Sequence, residues 1–310
     1  MSSGDRRLYK YIREASLSKS LEHPEFVSLK CSTPREYNDP YELFLTISFD
    51  NAEPEMLAFY NDLVGELPEL PTTCFSRAPD VVPMWAHYAE DHTGAVVEFD
   101  ENLLLEHFAG ARVGDVEYRD EPDPGLGGAL EFAYGTQKFR HSYSVAQSIF
   151  NAAYYTKTTA WSYERERRLV SKDEHLSNRG GLRLLDVPKE CVTAFITGCR
   201  AKPATKSLLQ TRAQQMGSAY YEMRIGRLTA APYFVAPDDQ PYRYTSEGLV
   251  PSPNYCLTCR EPKESSDEEC NWCRIGDEER SVAASNNPMR LLDRYGLLDE
   301  YISGSGADSA

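Results

Sequence analysis

Long apolar runs are missing from this sequence. No stretch approaches the roughly 20 residues that a bilayer-spanning helix needs, so no membrane span is expected. The N-terminus, MSSGDRRLYKY, has no apolar signal core, and the expected location is the cytoplasm. Positive charge is also in deficit. Lys+Arg 33 against Asp+Glu 48 leaves a net charge of −15. Such a field repels polyanions and disfavours broad nucleic-acid binding, while leaving room for a local basic patch. The P-loop, a GxGxxG after a strand, HExxH and GxSxG are absent, which removes the commonest nucleotide, metalloprotease and hydrolase signatures. No internal repeat is present.

What remains is an ordinary globular composition, 41% hydrophobic and 26% charged. At 310 residues the chain has room for one large domain, or a main domain with a small module. Strand-like runs are RRLYKYI (6–12), FVSLKCS (26–32), LFLTISF (43–49), TTCFS (72–76), GAVVEFD (94–100), ARVGDVEY (111–118), WSYERERRLV (161–170), CVTAFITGCR (191–200) and YYEMRIGRLTAAPY (220–233). Residues 137–159 form the best helix candidate, with Phe139, Tyr143, Ala146, Ile149, Phe150, Ala153 and Tyr154 at helical spacing. Shorter helices are expected at 53–66 and 203–217. Strands outnumber strong helices and do not alternate with them. The expected fold class is therefore α+β, a mixed or antiparallel sheet core with flanking helices. Main domain 1–235, linker 236–255, cysteine module 256–275, and a helical segment with a disordered tail over 276–310 complete the expected organisation.

Eight cysteines in a cytoplasmic chain point to thiols and metal ligands rather than disulfides. Cys256, Cys259, Cys270 and Cys273 form CxxC-x10-CxxC. Each CxxC puts two thiolates on one tight turn, and two such turns close a tetrahedral Zn²⁺ site of structural type. The loop between them, REPKESSDEE, carries five acids against two bases, a poor match for phosphate. Trp272 either packs the module or offers a stacking surface.

The alternating charges of WSYERERRLV raise the question of a reaction site. As a strand, 161–170 would put Trp161, Tyr163 and Leu169 on one face and Glu164, Glu166 and Arg168 on the other. Two carboxylates on one face could bind a ribose hydroxyl and orient a nucleophile. Arg168 could hold an anion or pair with Glu166. The alternative, a solvated run of Glu–Arg pairs, stays open. Trp161 is expected to be buried and to anchor the sheet. In MWAHYAEDHTG, Trp85, His87, Tyr88 and His92 could stack a base and bond a phosphate, or simply pack a core. Lys157 is a phosphate-contact candidate, and Cys74 with His87 and His92 could suggest a Cys/His nucleophile pair. In EYNDPYE, Asn38 and Asp39 either contact a ligand or form an Asx turn before Pro40.

Taken together, LYKY (8–11), STPREYNDPYE (32–42), CFS (74–76), MWAHYAEDHTGAVVEFD (84–100) and KTTAWSYERERRLV (157–170) resemble a bacterial family catalogued as domain-of-unknown-function family 2971. The cysteine module lies outside that resemblance. More distantly, the order of segments is similar to the ADP-ribosyltransferase fold. That likeness implies an NAD contact through Tyr9, Lys10 and Tyr11 on a first strand and Ser76 on a second. It implies a Glu-x-Glu pair at Glu164 and Glu166, with Glu166, the second, holding the NAD ribose. The chain departs from the pattern in having no histidine or arginine in LYKY and no Ser-Thr-Ser at CFS. The implied function is an NAD- or nucleotide-using enzyme, catalysing transfer or glycohydrolysis in bacterial stress or phage defence. A non-catalytic sensor or interaction module, and a nuclease using carboxylates and histidines on a divalent metal, stay open. The enzyme reading requires Glu164, Glu166 and the WAHY segment to converge on one cleft.

Overall fold

The computed structural model describes residues 6–33, 36–37, 39, 46–50, 52–65 and 69–305. Two compact units divide the chain, Met1–Pro251 and Ser252–Ala310. In the first, β1 (Arg7–Ile12), α1 (Glu14–Ser20), β2 (Phe26–Lys30), α2 (Pro54–Gly65), β3 (Thr72–Ser76), α3 (Val82–His87) and β4 (Ala95–Asp100) come first. There follow α4 (Glu101–His107), β5 (Arg112–Asp115), β6 (Glu117–Tyr118), α5 (Leu126–Thr136), α6 (Phe139–Tyr155), β7 (Thr156–Lys157) and β8 (Glu166–Val170). Next are β9 (Leu176–Arg179), β10 (Leu182–Pro188), β11 (Val192–Thr197), α7 (Pro203–Met216), β12 (Ala219–Arg224), β13 (Tyr233–Val235), β14 (Pro241–Thr245) and β15 (Gly248–Pro251). Among the described residues, ten strands form one sheet in the order β15-β14-β13-β12-β11-β4-β1-β3-β8-β5. Only β11 and β12 pair in parallel within it. The fold is α+β, as the sequence pattern implies.

Period-two alternation builds the two faces of this sheet. Leu8 and Ile12 of β1, Ala95, Val97 and Phe99 of β4, and Phe195 of β11 enter one buried cluster, closed by Leu104, Leu209 and Ala213 from α4 and α7. Tyr9 and Tyr11, Val96 and Ile196 enter the other, against Met84 and Trp85 of α3. Helices α2, α5 and α6 make a separate cluster around Tyr60, Leu130, Val145 and Ile149. The second cluster is the one that reaches the site.

Between β1 and β3 the ladder is nearly open. Their register holds a single pair, Tyr9 opposite Ser76, whereas β3 pairs with β8 along its whole length. Across the gap the Lys10 ammonium donates to the Cys74 carbonyl at 2.7 Å and to Thr73 Oγ1 at 3.1 Å.

Several expectations need correction. WSYERERRLV is not one strand. Thr159–Glu164 is a 3-10 turn, and the strand starts only at Glu166. The cause is local. Asp39 accepts from the Thr158 amide and hydroxyl at 3.4 and 3.2 Å, and Asp120 accepts from the Thr159 amide at 2.9 Å. These acceptors satisfy the turn's leading amides. Arg165 then takes a left-handed conformation, φ 46°. Trp161 is accordingly half-buried and off the sheet, its ring 4.6 Å from the Lys157 ammonium. The expected linker, 236–255, contains the hairpin β14–β15 at the sheet edge. Its Tyr242, Tyr244 and Leu249 pack on the second core cluster, which outweighs the loop signal of its prolines. Residues 46–50 form no strand; the rest of the expected strand 43–49, Asn38, and the tail after 305 lie outside the described residues. Strand β2 falls within the expected run FVSLKCS, but its partner β10 and the helix α5 have no counterpart in the sequence reading.

A left-handed arginine is strained by roughly 1–2 kcal/mol; glycine relieves this strain but adds a comparable entropic cost through the unfolded chain. Arg165→Gly should leave the melting temperature nearly unchanged. Arg165→Val should lower stability by about 1–2 kcal/mol in urea titrations. Equal stability of the two variants would contradict the role assigned to the kink.

Candidate active site

The kink at Arg165 carries two acids to one point from different directions. Glu166 enters from the strand and Glu164 from the preceding turn, and both reach the same ammonium. Lys157 Nζ donates to Glu164 Oε2 at 2.7 Å and to Glu166 Oε2 at 3.3 Å. Lys157 arrives there because α6 ends at Tyr155 and Thr156 turns extended. The apolar stripe of α6, from Val145 through Ile149 to Ala152 and Ala153, fixes the phase at which it ends. All three charged side chains are buried.

Glu166 is held on every side. Arg168 Nε donates to Oε1 at 2.7 Å and Arg168 Nη2 to Oε2 at 3.0 Å. The Glu166 amide donates to the Tyr118 hydroxyl at 2.7 Å. Arg168, itself 1% exposed, also donates to the Tyr154 carbonyl at 3.0 Å and stacks 4.7 Å from the Tyr37 ring. Burial alone would raise the Glu166 pKa. The Arg168 charge and its two-pronged contact, with Lys157, outweigh burial and hold the acid down at about 2.

Glu164 stands differently. Tyr88 donates to its Oε1 at 2.5 Å. Burial pushes its pKa up, Lys157 pulls against this, and the neighbouring Glu166 adds to the rise. Two carboxylates two residues apart are thus driven in opposite directions, the pattern that separates acid–base roles. Ser76 fixes the backbone beneath: its hydroxyl donates to the Glu164 carbonyl at 2.7 Å.

These groups line a cleft of about 230 Å³ at the β1–β3 gap. Its walls include Tyr9, Tyr11, Tyr37, Phe75, Met84 and Tyr88. Lys10, Lys30, Lys157, Glu36, Glu164 and Glu166 supply charge. Of the residues singled out from sequence, Tyr9, Lys10, Tyr11, Ser76, Tyr88, Lys157, Glu164 and Glu166 meet here, and Arg168 stands behind Glu166. Trp85 does not. It is fully buried and donates its Nε1 to the Pro79 carbonyl at 2.6 Å, so it is core rather than a stacking platform. His87, at the end of α3, is exposed and is not among the cleft residues; its ring lies 6.5 Å from Tyr163. Cys74 borders the cleft, but burial and the adjacent Glu166 push its thiol well up, against a thiolate role. Asp39 serves the Thr158 turn. Tyr37, Lys30 and Glu36 were missed as site residues; their signal lay in STPREYNDPYE and the strand before it.

In the second unit the four sulfurs of Cys256, Cys259, Cys270 and Cys273 all lie within 4.8 Å of one another and could hold a metal ion.

Residues 84–169 match the model of a protein of unknown function, DUF2971. This supports the family resemblance read from the segments at 84–100 and 157–170. The DUF2971 stretch runs from α3 into β8 and carries Tyr88, Lys157, Glu164, Glu166 and Arg168. The aromatic wall from β1 and β3 and the cysteine module lie outside it. No curated protein and no solved structure matches the chain. No helix among the described residues is long and apolar enough to cross a membrane.

Proposed function

We propose that the β1–β3 cleft is an active site for a nucleotide of the NAD class, acting at the bond between ring and ribose, with Glu164 as the working carboxylate. The observation that carries this reading is the pairing of a locked, ionised Glu166 with a buried, proton-hungry Glu164 on the floor of a tyrosine-lined cleft. At about 230 Å³ the cleft suits one planar ring and its sugar, with the remainder of a dinucleotide outside. Tyrosine faces suit a planar ring.

In such a reaction the ribose C1′–N bond breaks, and its electron pair leaves with the nicotinamide. The positive charge that develops at C1′ is stabilised by nearby carboxylate. Water or an acceptor nucleophile then bonds to C1′ and gives its proton to Glu164. A base whose pKa burial has raised above the ordinary carboxylate value suits that step. Tyr88 orients Glu164, and the Glu166–Arg168 pair fixes Lys157. The metal-dependent nuclease reading is disfavoured. His87 lies outside the cleft, and both acids are already bonded to cations.

The test is incubation of the purified protein with NAD labelled separately in each half, alone and with cell extract. Release of nicotinamide, with the other label on a hydrolysis product or an acceptor, is expected. Thermal stabilisation by NAD without consumption would favour the sensor reading. Neither consumption nor stabilisation would overturn the nucleotide assignment.

A further inference from the structure

We propose that Cys256, Cys259, Cys270 and Cys273 bind one Zn²⁺ as a closed tetrathiolate, and that this ion replaces a hydrophobic core in the unit Ser252–Ala310. Sulfur spacing is the first observation. Cys259 Sγ and Cys270 Sγ lie 3.9 Å apart. A tetrahedral site with Zn–S near 2.3 Å has S···S edges of about 3.8 Å, whereas a disulfide would bring the sulfurs to about 2.05 Å. Four thiolates and no oxygen donor select a soft or borderline ion over Mg²⁺ or Ca²⁺. All four positions are filled by protein, so the ion has no open position for substrate.

The second observation is what the unit lacks. Among its described residues, the buried apolar side chains are Cys256, Cys270 and the small ring of Pro262. Helices α8 (Asp277–Ser285), α9 (Pro288–Arg294) and α10 (Leu298–Ser305) carry Val282, Met289, Leu291, Tyr301 and Ile302 exposed. Such a segment has too little apolar burial to offset its conformational entropy. A metal centre supplies what is missing.

The third observation is the backbone around the sulfurs. The Cys256 amide donates to the Glu261 carbonyl at 3.0 Å, Leu257 to Glu268 at 2.8 Å, and Lys263 to Asn254 at 3.1 Å. The buried Lys263 ammonium holds the carbonyls of Ser265 and Asp267. The loop 261–269, acidic in sequence, is thus wrapped on a lysine and joins the two CxxC turns.

The experiment uses the full chain, purified under reducing conditions. Elemental analysis should give one zinc per chain. Chelation should remove amide hydrogen-exchange protection across 254–275 while β1, β4 and β11 keep theirs, and added Zn²⁺ should restore it. Cys270→Ser should lose the metal; Cys199→Ser, at an exposed cysteine outside the cluster, should keep it. Iron in place of zinc, well under one metal per chain, disulfides by thiol counting, or protection of 254–275 that survives chelation would each overturn the proposal. Because the wild-type chelation arm needs no variant, it stands even if Cys270→Ser fails to accumulate.

Discussion

Arg168→Met should be among the most damaging single substitutions in the main unit, costing about 3–5 kcal/mol. The methionine fills much of the same space but leaves Glu166 buried with half its partners gone. The Tyr154 carbonyl loses a donor and the Tyr37 ring its guanidinium. For a unit of this size the fall in melting temperature is about 10 °C. The pH dependence follows from the direction of the shift. The Glu166 pKa falls from an ordinary 4.5 to about 2 in the folded state. Its contribution is therefore complete above about pH 4.5 and lost as pH drops towards 2. In Arg168→Met, burial dominates and the same acid prefers its proton. The gap between variant and parent should then narrow as pH falls from neutral towards about 2 in urea titrations. A loss within about 0.5 kcal/mol at neutral pH would place this pair with ordinary surface ion pairs and sink the argument.

Glu164→Gln and Glu166→Gln should fail in opposite ways. Glutamine at 164 still accepts from Tyr88 and removes a charge that burial disfavours. Stability should hold or rise, while NAD turnover falls at least about a hundredfold. The folded-state pKa of Glu164 is raised, so burying it ionised opposes folding at neutral pH, and that cost fades as pH falls below the raised value. Turnover by a base needs the ionised form, so parent activity should decline on the acid side of that value. The small residual activity of Glu164→Gln should lack this decline. Glu166→Gln should instead lose stability first, because Arg168 and Lys157 lose their shared anion. A Glu164→Gln protein as active as the parent would end the case for Glu164, and a destabilised one would point to a structural role.

Much of this was legible in the chain. Strands β1, β4 and β11 announce themselves because each feeds two clusters with alternate side chains. The CxxC pairs are legible from spacing alone. The convergence of Glu164 and Glu166 was legible as chemistry but not as geometry. The i, i+2 argument assumes extended backbone throughout, and one left-handed residue, Arg165, breaks it. The WAHY segment misled for a related reason. On α3 consecutive side chains turn by about 100°, so Trp85 goes to the core and His87 to solvent. No local pattern says which residue of the four faces the cleft. The β2–β10 pairing has no local signature either, since Ser28 and Asp186 are distant in sequence and meet only in the fold.

The single bridge between β1 and β3 divides the large sheet into two slabs with unequal cargo. One slab, β5-β8-β3, carries Glu166, with Glu164 on the turn that leads into β8. The other, from β1 to β15, carries Tyr9, Tyr11 and the Lys10 ammonium that spans the gap. A sheet bends most easily where its rungs are fewest. The width of the cleft is therefore set where the sheet has fewest rungs, with Lys10 reaching across the gap. A ligand wedged between tyrosines and carboxylates would be squeezed or released by a small rotation about Tyr9 and Ser76, without melting any strand.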